Sequence, residues 1–584
     1  MVKKLLAISL CIAIALSACA CTAKQKKASG YSEVYAAVKK YQSENRSNAR
    51  YILNDGADAA LAVTSEEYSK TNAQVDGIDE ADTIKTDGKY VYYLDSKNVT
   101  IYEAAGENSR KVGCVTPPEE SGWVSRIYVS DGVLMLIASV NSVYGGDAVS
   151  YEDGRERTMV YYYDVSDPAS AKLIASSGQD GWLMTSRLFD GKLYLLTSYY
   201  IMSDAVRTEP ETYVPQLYCN GEAKLADSQC ISIMPCVNEA SYVVTGAYDA
   251  KTGNALTQRS VLGAGSTAYM NENSLYLAAW RLEQEELKAY TESIYNVSEH
   301  ADKQYTDIMR INVSDLSVAA TGTVEGYLDS QFSMDEYNGA LRVVTTNEPN
   351  YWTVYRDEAR DLESYKYDTE RSSQANNLYI LDDSLNKLSS VEGLAKGERV
   401  YSVRFDGDFV YFCTFRQVDP LFAADVSDTK NPKILSELKI SGFSDYLHTW
   451  SDDRLFGLGN EADEETGVAT GLKLVMFDTS DKANVTVKNT KNLAGSSYTE
   501  ALYDHTALLI SPERNIIGFC TGTSYLLFSY SDENGFIQTV EIPLDEELSQ
   551  ARAVYVGDSV YVADMSGMKV LSLDAGKVIA SVDS

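Results

Sequence analysis

Histidine is nearly absent from this sequence, at three in 584 residues. Basic residues are also few: 51 Lys and Arg stand against 84 Asp and Glu, for a formal net charge of −33. Beyond Leu16 no apolar run approaches the length of a membrane span. Each scarcity excludes something. A chain this acidic, with no basic stripe, repels phosphate backbones, which removes nucleic acid as a partner. Zinc catalysis takes two or three protein ligands that include His, and His300, His448 and His505 are scattered. No Gly-Lys-Ser/Thr loop cradles a phosphate, so the letters DEAD at 79–82 do not mark a helicase. No Gly-x-Ser-x-Gly elbow is present. What the acidity does fit is solubility at an exposed surface or attraction of cations.

The N-terminus indicates the compartment. Lys3 and Lys4 precede the short apolar stretch Leu5 to Leu16, a pattern expected of a secretory signal. It ends in Leu16-Ser17-Ala18-Cys19, which resembles the bacterial lipobox, in which the Cys sulfur takes a diacylglycerol. The expectation is a signal peptide over 1–18, a lipid on Cys19, and an address on the outer face of the bacterial cell membrane. Ordinary cleavage near Ala18 or Ala20 is the alternative. Residues 19–75 read as a tether: Tyr31, Val34, Tyr35, Val38 and Tyr41 fall on one face of a short helix, and polar sequence follows. Of the nine cysteines only Cys219, Cys230 and Cys236 cluster. An oxidising compartment permits a Cys219–Cys230 disulfide there, with unpaired thiols the alternative.

Repetition dominates from residue 76 onward. A tight turn followed by a Tyr-, Leu- and Val-rich strand recurs at Asp87-Gly88, Asp131-Gly132, Asp190-Gly191, Asn273-Ser274, Asn338-Gly339 and Asp406-Gly407. Degenerate copies stand at Asp452-Asp453, Asp504-His505 and Gly557-Asp558. Asp-Gly and Asn-Gly favour hairpins because both positions tolerate positive φ. A third strand ends in an acidic turn, as in VYYYDVSD at 160–167, FAADVSD at 422–428 and KLVMFDTSD at 473–481, and a fourth follows. Four strands per unit at a spacing near 44 residues, Asp87 to Asp131, is a propeller-blade period. The fold class expected is all-β: a single β-propeller of eight or nine four-stranded blades over 76–584, preceded by the short helix and linker. Inserts near 139–157, 199–230, 281–303 and 347–374 all fall between the second and third strands. In a meander that places them on one face, with the short Asp turns on the other.

Three blocks carry a resemblance: TNAQVDGIDEADTIKTDGKYVYYLD at 71–95, AADVSDTKNPKILSELKISGFSDYLHTWSDDRLFGLGN at 423–460, and YDHTALLISPERNIIGF at 503–519. They resemble secreted prokaryotic proteins with a C-terminal β-propeller distantly related to WD40 repeats. The resemblance implies fold and secretion. It brings no activity, cofactor or catalytic residue.

Four groups of residues invite a functional reading, each with a structural alternative. The acidic knot Asp76, Asp79, Glu80 and Asp82 offers oxygen ligands for Ca²⁺, though not at EF-hand spacing. The alternative, which is favoured, has the segment threading or closing the ring with its acids held by N–H groups or Arg. No other cofactor is expected. His448 and His505, with Asp445 and Asp452, form a second group: the two histidines are expected near the channel or one rim, as structural imidazoles or as a site. Tyr351, Trp352, Tyr355, Asp357, Glu358, Asp361 and Tyr365, with Glu363 and Tyr367, crowd one insert. Rings beside carboxylates suit sugar stacking or a protein partner, unless the insert packs them on its own blade. His300, in an acidic insert, is expected to be solvated. The leading functional expectation is therefore a surface-anchored binding or scaffolding module that uses its inserted loops on an extracellular protein or glycan. The alternative is an extracellular hydrolase or lyase with acidic residues at the channel mouth, for which the marker is a funnel holding two carboxylates of perturbed pKa near His448 or His505. Oligomeric state has no signal.

Overall fold

A computed structural model describes residues 26–44, 68–140 and 155–584, apart from 203, 236, 238, 266, 416–418, 464–467, 495, 497 and 545–549. The expected signal, Cys19, Cys236 and most of the first insert lie outside the described residues. Nine antiparallel four-stranded meanders follow one another, at 84–115, 123–180, 182–262, 267–325, 334–394, 399–440, 443–494, 509–543 and 552–583. These are blades 1 to 9. Within blade 3 the third strand starts only after the insert 199–230, and blades 4 and 5 are interrupted in the same place. The order strand 1-2-3-4 holds in every blade, so all the inserts leave the disc on one face.

Local chemistry sets the blades. Asp131-Gly132, Asp190-Gly191 and Asn338-Gly339 each have positive φ at both positions, as the hairpin turn between first and second strands requires. Between third and fourth strands, Asp164, Asp315, Asp425 and Asp478 each accept from the backbone N–H of the Ser two residues on. That Asx turn closes the sheet on the face opposite the inserts. One expected turn is misplaced. Asp504-His505 lies in the connection between blades 7 and 8, in a short 3-10 turn capped by Asp504, and the first hairpin of blade 8 turns instead between Leu509–Ser511 and Ile516–Cys520. The nine units survive, but this copy crosses to the insert face.

Apolar residues from neighbouring blades share cores. Blades 1 and 2 meet through Tyr92, Ile101, Ile127 and Leu136, blades 2 and 3 through Met135, Tyr162 and Leu195, and one large cluster runs from Leu378 in blade 5 to Phe528 in blade 8. Blade 9 meets blade 1 through Tyr561, Val570, Val91 and Tyr102, which closes the ring. Each blade would expose one apolar face alone, so closure leaves none uncovered.

The N-terminal segment is part of the same body. Helix α1 (Tyr31–Glu44) buries Val34 and Val38 against Tyr213, Ala226, Ile231 and Tyr242 of blade 3 and its insert. The helix therefore docks on the propeller. Residues 68–83 run through the ring's centre. Tyr68 bridges Val556 of blade 9, Asp79 bridges Leu188 of blade 3, and Asp82 bridges Ile127 of blade 2. Asn72 reaches Tyr446 of blade 7, and Gln74 reaches Met334 of blade 5. One short segment touching the inner strands of five blades must lie on the axis. It forms a plug, and it begins before residue 76, the boundary expected from composition.

Candidate functional site

Three regions gather the residues that sequence pointed to: an arm of inserted strands, the plug, and a pocket at the channel mouth.

The arm begins where the second and third strands of blade 4, β1 (Ser274–Glu292) and β2 (Tyr295–Asn312), continue far past the disc. The blade 5 insert supplies β3 (Asn350–Asp357) and β4 (Leu362–Tyr367). This hairpin does not pack on its own blade. Instead β3 pairs with β2 of blade 4, with His300 opposite Trp352 and Val297 opposite Tyr355. The His300 and Trp352 rings stack at 5.3 Å and 14°. Tyr367 continues that row on β4, and Tyr365 and Tyr367 are 55% and 60% exposed. Tyr355 meets Tyr295 edge-on across the sheet at 6.1 Å, and Tyr351 carries the Arg371 guanidinium over its ring. The acids are mostly structural. Asp357 is buried and accepts from the N–H groups of Ala359 and Arg360, Asp361 sits at positive φ in the hairpin turn, and Glu358 accepts from Asn296.

In the plug, Asp76 is exposed while Asp79, Glu80 and Asp82 each face a protein cation. Lys85 donates to Asp79 at 2.7 Å. Glu80 lies 3.5 Å from Arg187 and 3.3 Å from His505 Nε2, and accepts from Gln74 N–H at 2.9 Å. Burial alone would raise the Glu80 carboxyl, but Arg187 and His505 hold it down at about 2. Asp82 meets Arg552 at 3.4 Å, and Arg552 also grips Glu500 and Asp504, each at 3.1 Å. Arg126 adds a second cation to Asp504 at 2.8 Å. The acidic knot therefore does not converge on one point as Ca²⁺ ligands must. Asp79, Glu80 and Asp82 are spent on Lys85, Arg187 and Arg552.

The expected group of His448, His505, Asp445 and Asp452 divides. Asp452 is exposed in the hairpin turn at the far end of strand Phe443–Ser451. His448 is buried at mid-strand, with Nδ1 2.9 Å from the Tyr446 hydroxyl, and burial followed by the Arg404 charge pushes its pKa well below the usual value. It is a neutral, structural imidazole. Asn72 of the plug links the two histidines, donating to the Tyr446 hydroxyl at 3.1 Å and to the His505 carbonyl at 3.0 Å. Asp445 turns to a small pocket of about 20 Å³ on the insert face, lined also by Asp329, Phe332, Tyr401, Tyr446, Tyr503 and His505. Burial, and then the nearby Asp329, push the Asp445 carboxyl up to about 7. Burial pushes Asp329 to about 7 as well, against the pull of Arg399. Sequence reasoning missed Asp329, Tyr401 and Tyr503. All three sit in or beside connections between blades, whereas attention had gone to turns and inserts.

The model of the family described as Beta propeller domain matches residues 68–575, beginning at the plug. The chain belongs to the β-propeller domain family. An uncharacterized protein of Archaeoglobus fulgidus is 29% identical to this propeller over 572 residues, 86% of this chain and 82% of its own length. An uncharacterized protein of Methanocaldococcus jannaschii is 26% identical over 584 residues, 89% of this chain and 84% of that one. Among solved structures, a functionally unknown protein from Desulfotomaculum acetoxidans aligns at 11% identity and a TM-score of 0.30, covering 58% of the propeller and 91% of its own chain.

The cysteine expectation is corrected. Cys219 and Cys230 are free thiols. The first ends a strand added to the edge of blade 2, and the second lies in a 3-10 turn leading to the edge of blade 3, so the two belong to different sheets.

Proposed function

We propose that this propeller is a binding module held on the outer face of the cell membrane by a lipid on Cys19, with the arm as its contact surface. The arm carries the reading. Two inserts from adjacent blades hydrogen-bond into one projecting sheet that the ring itself does not need. A row of half-buried His300 and Trp352 and exposed Tyr367 crosses it, with exposed Tyr365 beside the row, and rigid rings of this kind suit stacking on sugar faces at low entropic cost. The ligand class is an extracellular glycan, and a protein partner is the other occupant that the chemistry accepts. Retention of the purified chain on immobilised envelope polysaccharide tests it. A Trp352→Ala/Tyr365→Ala/Tyr367→Ala variant is expected to lose retention, and unchanged retention defeats the reading. The anchor has its own test: Cys19→Ala should abolish incorporation of labelled fatty acid and release the chain from membranes.

A second reading, a hydrolase or lyase acting on an extracellular polymer, is favoured by one observation, the two mouth carboxyls displaced to about 7. Glycoside cleavage uses an acid raised in this way. Release of reducing ends from the same polysaccharide, lost in Asp445→Asn, would support it.

A further inference from the structure

We propose that the channel-mouth pocket is a receptor for a single organic cation, a primary ammonium on a flexible chain. The proposal does not rest on the arm. The pocket is walled by Phe332, Tyr401, Tyr446 and Tyr503, with Asp329 and Asp445 as its two carboxyls. Among the described residues, the Asp329 carboxylate takes no hydrogen bond, the Asp445 carboxylate takes a long one from Asn460 at 3.5 Å, and the Arg399 charge acts on both. The contrast is with every buried acid of the plug, which has a cation at hand. Two carboxyls left short of partners between aromatic walls make a poor resting arrangement and a good cation site: the acids supply charge-assisted hydrogen bonds, the ring faces supply cation–π attraction, and the overall −33 charge steers a cation inward. Its enclosed space of about 20 Å³ holds one water-sized group, such as an ammonium head whose chain stays outside, and not a polymer strand.

The surroundings of the two acids support the same choice. From the strand that begins at Arg399 come that guanidinium and Tyr401. From strand Phe443–Ser451 come Asp445 itself and Tyr446, and from the connection before blade 8 come Tyr503 and His505. Arg399 is exposed and donates to the Tyr401 hydroxyl at 3.0 Å. His505 faces Glu80 on the plug side, and Asp504 and Glu500 turn to Arg552. A bound ammonium would complete what these groups leave undone, and the acids would release protons as they take it up.

The test is calorimetric titration of the full chain with spermidine and, separately, with a trilysine peptide, at pH 6 and pH 8 in 0.15 M salt. The expected result is one saturable site that binds at least about tenfold tighter at pH 8, with protons released. Asp445→Asn and Asp329→Asn should each weaken binding about tenfold or more, with unchanged melting temperature at pH 4 as the check on folding. Asp558→Asn, an exposed turn acid on the opposite face, should leave it unaltered. Spermidine alone binding assigns a free polyamine, and the peptide binding as well assigns a lysine side chain of a partner. Equal losses in Asp558→Asn and Asp445→Asn would reduce the effect to surface charge and overturn the proposal. So would binding indifferent to either mouth acid, or pH-independent binding of a neutral oligosaccharide in the pocket.

Discussion

Two sets of acids lie on either side of His505, and the fold treats them differently. On the plug side Glu80, Asp82 and Asp504 are each matched to Arg187, Arg552 or Arg126. On the mouth side Asp329 and Asp445 sit between tyrosines, with the exposed Arg399 pulling on both and Asn460 on Asp445. Burial raises every one of these carboxyls; Arg187 and His505 overcome it at Glu80, whereas Asp82 stays raised despite Arg552, with Asp504 beside it. The teaching is that burial of acid in this ring has two purposes. Where the chain must close on itself, charge is cancelled internally; where the channel opens, charge is left for something else.

The comparison breaks most readily at the plug. Glu80→Ala leaves Arg187 and His505 facing each other in a buried site without their anion. Removing one member of a buried pair costs about 3–5 kcal/mol, so a large drop in the urea midpoint is expected. Glu80→Ala combined with Arg187→Ala should cost less than the sum of the two single changes, because the partners share the interaction. A cost under about 1 kcal/mol for Glu80→Ala would mean that the plug does not hold the ring.

Acid and base should then move Glu80 and the mouth acids in opposite directions. Glu80 is held near 2, below the ordinary glutamate value, so its contribution is present above that ordinary value and is lost as pH falls toward 2. The mouth acids are raised to about 7. The folded state then holds more protons than the unfolded chain between about pH 4 and 7, and their penalty grows over that range and is complete above it. Asp445→Asn should therefore raise the melting temperature at pH 8 and leave it unchanged at pH 4. A fall at pH 8 would show that the Asp445 carboxylate has a partner and that the two regions are alike.

Much of this architecture was legible because it is written in short-range chemistry. Asp131-Gly132 and Asn338-Gly339 specify their hairpins from two residues each, and the Asp-x-Ser turns at Asp164, Asp425 and Asp478 close the sheets in the same local way. The common position of the inserts followed from strand order. Asp504-His505 misled because an Asp followed by a polar residue serves equally as a hairpin turn and as a cap, and only the ring's closure assigns it to the connection. The partners of Glu80 were out of reach, since Arg187 and His505 join it through the ring rather than along the chain. Asp329 was invisible for the same reason: nothing in Tyr327-Leu328-Asp329-Ser330 distinguishes a pocket carboxyl from a loop acid. The pairing of the blade 5 insert with blade 4 likewise depends on which blades are neighbours, although its aromatic content had marked the segment.

The smallest test concerns the one side chain that spans the divide. Asn72 donates to the Tyr446 hydroxyl, on the wall of the mouth, and to the His505 carbonyl, beside the plug network. Asn72→Ala removes both bonds, but the Tyr446 hydroxyl keeps His448 Nδ1. The expected loss is about 1 kcal/mol, the net worth of a hydrogen bond exchanged with water. Its value lies in the pH profile. Asn72 contacts neither Asp329 nor Asp445, so the slope of melting temperature against pH between 5 and 8 should match that of the parent chain. A changed slope would mean that removing a neutral amide shifts the mouth carboxyls through the plug. The two sets of acids would then be one electrostatic unit, and ligand uptake at the mouth would be felt at the ring's closure.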